Sequence, residues 1–219
     1  EASGAAQTST LTFASINRSA GATIDFVGQN LGVNAQNEIV ITDVSSIPTT
    51  TLSGTVLATP WAFIGMPTPN QLPGGNGSSY GVGYGDAPSD FAVINSAGSF
   101  GTVSAANGAV ITGSGSMVGG DYTVNTATIN FTGNAIANTI RNNTTSTTLN
   151  LQGDTLAVNG LMAVATTLTV GSTAGNGILT ATGTSGGEIV IASSANGNAS
   201  TMGSVVINAN IQDNNVTNG

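Results

Sequence analysis

The chain has 219 residues, ten acidic and two basic, with no histidine or lysine, a net charge of −8 and a pI near 4.1. Binding nucleic acid needs clustered Lys and Arg to release counterions, so that partner is excluded, and so is electrostatic attachment to anionic lipid. With no cysteine there is neither a disulfide framework nor a thiolate metal site. Charged residues are 5% and aromatic residues 5%, so any core must be built mostly from Ala, Val, Ile and Leu.

The chain opens at Glu1 without a basic stretch leading into an apolar one, and is expected to be a mature form or an excerpt. No stretch approaches the ~18 consecutive apolar residues of a membrane helix, so no membrane insertion is expected. Residues 1–47 read as regular β structure. The six prolines all fall between Pro48 and Pro88, together with Trp61, Tyr80 and Tyr84. Such a shift marks 48–90 as an irregular excursion rich in Pro, Gly and aromatics.

Several readings compete inside that window. Trp61, Tyr80 and Tyr84, with Phe63 and Phe91, could form a platform for stacking sugar rings, or a satellite core fastening the excursion down. Asp86 and Asp90 in "YGDAPSD" are the one close acidic pair, able to ligate Ca²⁺ with loop carbonyls. Equally, they fit a solvated loop in which Asp90 caps a turn. "GGNGSSYGV" (74–82) approaches a calcium β-roll repeat, but Ser79 stands where the aspartate belongs and no tandem copy follows.

Residues 91–219 return to regular structure, clearly so from about 116. Apolar-polar-apolar triplets start at Ile129, Leu149, Leu168, Ile189 and Val205, which places them 20, 19, 21 and 16 residues apart. Between them lie second strands such as Leu156–Val158, bounded by "QGD", "NG" and "AGNG". Recurrence at two rather than at three and four excludes a helix. Periods near 20 with short strands and Gly/Asn corners predict an all-β fold, a right-handed parallel β-helix (β-solenoid) continuous through 1–47 and 91–219. In that stack Leu149 is expected to lie over Leu168 or Ile129, with Thr and Asn forming outward ladders.

The segment "INRSAGATIDF" (16–26), the Trp61-Ala62 pair, the Asp90-Phe91-Ala92 triplet and the later "L-x-L" strands together resemble the autotransporter-associated β-strand repeat proteins of bacteria. That resemblance implies a parallel β-helix passenger exposed outside the cell, with no catalytic motif to carry over. The chain departs from the pattern by stopping at "NNVTNG", where such proteins run on into further repeats.

Chemistry finds little to work with. Without His, Cys or Lys there is no assisted nucleophile, and no cofactor is called for. A polysaccharide-active β-helix enzyme would need paired carboxylates, whereas the acids fall mostly one per repeat. Asp121 and Asp154 each follow glycine and read as turn residues. Arg18 and Arg141, the only cations, could pair across repeats or subunits, or simply lie in solvent.

Neither terminal segment offers an amphipathic cap. "QTSTLTFASI" and "GSVVINANIQD" both read as strands ready for pairing. The expectation is therefore an extracellular structural protein of the bacterial cell surface, stacking head to tail with itself into a filament. The alternatives are an adhesin binding surface glycans and, third, the enzyme.

Overall fold

The structure, a computed structural model, describes residues 8–28, 31, 37–47, 51–53, 55–65, 88–97, 100–183, 187–194 and 202–213. The fold is all-β, and no α-helix occurs among the described residues. The chain divides into two compact units, Glu1–Ala106 with Ala195–Thr201, and Asn107–Ser194 with Met202–Gly219.

The first unit contains β1 (Ser9–Ser15), β2 (Ile24–Val27), β3 (Asn37–Asp43), β4 (Thr51–Leu52), β5 (Thr55–Val56), β6 (Thr59–Gly65), β7 (Pro88–Ala97) and β8 (Phe100–Ala105). Six of these form one mixed sheet in the order β1-β3-β8-β7-β6-β2, while β4 and β5 make a separate small hairpin. The β1–β3 and β6–β2 pairs are parallel and the three pairs between them antiparallel. The described parts of the window 48–90 are thus largely strand, in contrast to the irregular excursion that composition predicts. The reason is local: "TPWAFIG" is aromatic and aliphatic, and Pro60 and Pro88 stand at strand beginnings, where a missing N–H does least harm. Flanked by β7 and β2, β6 buries Trp61, Ala62, Phe63 and Ile64.

In the second unit the strands are β9 (Ala109–Ile111), β10 (Asp121–Val124), β11 (Thr128–Asn130), β12 (Ala135–Asn142), β13 (Thr147–Asn150), β14 (Thr155–Val164), β15 (Thr167–Val170), β16 (Ile178–Thr180), β17 (Val190–Ser194), β18 (Ser204–Ile207) and β19 (Asn210–Ile211). Successive strands from β10 to β16 alternate between two parallel sheets. One runs β9-β10-β12-β14-β16-β19, with β17 also pairing β14, and the other runs β11-β13-β15-β18. Leu149, Leu151, Leu156 and Val158 are all fully buried in one apolar cluster with Ile129 and Val170.

The expected overlay of Leu149 on Ile129 is present, but its other neighbour is Val170, and Leu168 lies opposite Thr147. Thr147 is buried because its Oγ1 donates to the Thr126 carbonyl at 2.7 Å and accepts from Asn142 Nδ2 at 2.8 Å. A buried hydroxyl so bonded costs little, which lets a polar residue stand in an apolar column. The triplet at Ile189 does not continue the others either. Its strand, β17, pairs with the second half of β14, and the Leu168 triplet is followed by Val205.

Candidate functional site

The residues singled out by sequence separate sharply once placed. In "INRSAGATIDF" the chain reverses at Ser19–Ala22, where Ala22 N–H donates to the Ser19 carbonyl at 3.0 Å and Gly21 takes φ +79°. That positive φ at the third turn position favours glycine. Arg18 Nε reaches across the turn to the Ala22 carbonyl at 2.8 Å. Its guanidinium carbon lies 5.3 Å from the centre of the Trp61 ring, a cation–π contact. Trp61 itself is 8% exposed, so its ring belongs to the core more than to a surface platform. Phe91, from the Asp90-Phe91-Ala92 triplet, packs on Phe63 with ring centres 5.6 Å apart. Residues 16–26, the Trp61-Ala62 pair and the Asp90-Phe91-Ala92 triplet therefore meet in one unit.

Asp90 is buried, and its Oδ1 accepts the Phe91 N–H at 2.8 Å. Tyr80, Tyr84 and Asp86 lie outside the described residues, and no group of three or more acids is placed to hold a metal among those described. Asp43, exposed at the end of β3, is held below the usual carboxylate range by hydrogen bonds from the Ser45 side chain and N–H. Arg141 sits on β12 between Thr123 of β10 and Met162 of β14.

Asp121 opens β10 instead of occupying a turn. Its Oδ1 accepts from Asn138 Nδ2 at 2.8 Å and from Thr139 Oγ1 at 2.7 Å. Asn138 Oδ1 accepts from Asn159 Nδ2 at 3.2 Å, and Asn159 Oδ1 accepts from Thr182 Oγ1 at 2.6 Å. Asn130, Asn150 and Ser172 form a second such ladder. Asn138, Asn159 and Asn150 each use the donor on one neighbour and the acceptor on the next, which fixes strand register along the stack. A signal for the first ladder was available: Asn138 and Asn159 stand one repeat apart.

Among the described residues, the ends of the sheets leave apolar side chains partly uncovered. In the second unit, apolar columns that begin fully buried end partly exposed. Leu156 and Leu179 are fully buried, and Ile211, next in their column, is 67% exposed. Leu161 is fully buried, and its partner Ile191 is 50% exposed. Val205 and Ile207, next after Leu168 and Val170, are only partly buried.

Backbone polarity follows the same geometry. The N–H groups of Ser204 and Asn208 donate back to Thr166 and Val170. In a parallel strand the alternate residues face the opposite way, so Val205 and Ile207 turn their N–H and C=O outward. No described strand lies beyond β18. In the first unit β1 is likewise an edge, with Leu11 54% and Phe13 36% exposed. Neither β1, β17, β18 nor β19 carries a charge.

A groove of about 390 Å³ runs over the outside of β12, β14 and β16, floored by Ile136, Ala157 and Ile178 and rimmed by Thr182, Gln212 and Asp213. No aromatic side chain lines it. No family model, curated protein or solved structure matches this chain.

Proposed function

We propose that this protein is an extracellular structural subunit of a bacterial cell surface, a right-handed parallel β-solenoid that stacks end to end into a filament. The observation that carries this reading is the unfinished core at β17–β19. Apolar side chains in core register stand half exposed beside outward-facing backbone groups, on strands that carry no charge. Soluble monomers block such edges with Lys, Pro, bulges or a covering helix. An edge of this kind is satisfied by another strand. The parallel sheets, the repeat near 20 residues and the ladders of Asn and Thr support the solenoid, and the lack of cysteine fits an oxidising exterior.

Electron microscopy of the purified chain tests the reading. Uniform filaments with a regular axial repeat, and fibre diffraction showing a reflection near ~4.8 Å along the axis, are expected. Monodisperse particles at every concentration would remove it.

A further inference from the structure

We infer that the growing end is completed by a second copy of this chain, whose β1 strand adds in parallel beyond β18. The inference rests on the filament reading and deepens it by naming the segments that meet. An outward-facing row of N–H and C=O groups accepts an extended strand. The strand that fits must be free on one edge, uncharged, and apolar at alternate positions.

Among the described strands, β1 fits that description in full. Among the described strands it pairs only with β3, along one edge, in a parallel register running from Ser9–Asn37 to Ser15–Asp43. Its sequence, STLTFAS, holds Leu11 and Phe13 two residues apart, both exposed. Val205 and Ile207 have the same spacing and are the last described members of their columns. Placing Leu11 over Val205 and Phe13 over Ile207 extends the columns Thr147–Leu168–Val205 and Leu149–Val170–Ile207 by one layer each. The same register sets Thr12 opposite Val206, both exposed. Two chains of net charge −8 repel on average, and the uncharged edges let them approach where repulsion is least.

Because the native chain has no cysteine, a paired-cysteine test is unambiguous. Thr12→Cys and Val206→Cys are made as separate full-length proteins, mixed under filament-forming conditions and oxidised in air. Adjacent parallel strands bring Cα atoms to about 4.8 Å, within disulfide reach. The expected result is a heterodimer at twice the 21.4 kDa chain mass, dominant over both homodimers and abolished by reductant. A chain carrying both substitutions should give a ladder of oligomers. Filaments that form without this cross-link would overturn the β1–β18 contact and leave assembly standing. Absence of filaments from the unsubstituted chain would remove both.

Discussion

At the scale of single residues, the two arginines show how a cation-poor chain places its charge. Arg18 places its guanidinium on the Ala22 carbonyl and the face of Trp61, closing the turn at Ser19–Ala22 over β6. No rule of spacing links those positions, so this contact was illegible in the sequence; only the β2–β6 pairing brings them together. Trp61 is the single tryptophan, so its fluorescence reports the contact directly. Arg18→Ala is expected to cost about 1 kcal/mol and shift the Trp61 emission to longer wavelength as water reaches the ring. A denaturant titration followed by fluorescence measures both, and an unchanged spectrum would deny Arg18 its covering role.

Single elements expose what alternation does and does not reveal. The burial of Leu149, Leu151, Leu156 and Val158 could be read from their period of two. The register could not. A shift of two residues keeps every side chain on its own face, so Leu149 over Leu168 and Leu149 over Val170 look alike in sequence. Side-chain bonding makes the choice. Asn142, fully buried at the end of β12, donates to Thr147 Oγ1 and the Thr145 carbonyl and accepts from the Thr166 hydroxyl. It thereby joins β12 to the segments entering β13 and β15. Asn142→Ala would remove three hydrogen bonds from a fully buried position and leave a gap there, at an expected cost of about 2–3 kcal/mol. Circular dichroism in urea checks this; a loss below about 0.5 kcal/mol would show the register held by apolar packing alone.

On the scale of the whole molecule, net charge and edge chemistry act in opposite directions. Ten carboxylates against two arginines keep copies apart at neutral pH, while the uncharged strand edges favour association. Raising ionic strength from about 0.01 M to about 0.15 M shrinks the screening length from ~30 to ~8 Å, so filament growth should quicken. Lowering the pH towards the pI near 4.1 removes carboxylate charge and acts in the same direction. Light scattering follows both, and growth slowed by salt would mean that attraction between opposite charges drives assembly.

The position of Arg141 carries a last consequence. Proteases of the trypsin type cut after Lys or Arg, and this chain offers them two bonds in all. The one after Arg141 lies within β12, hydrogen-bonded between β10 and β14, where the backbone cannot enter a cleft that demands an extended, unpaired segment. The one after Arg18 lies beside a turn whose carbonyl that same side chain holds. A composition that leaves so little for electrostatics to recognise also leaves digestive enzymes of this class almost nothing to cut.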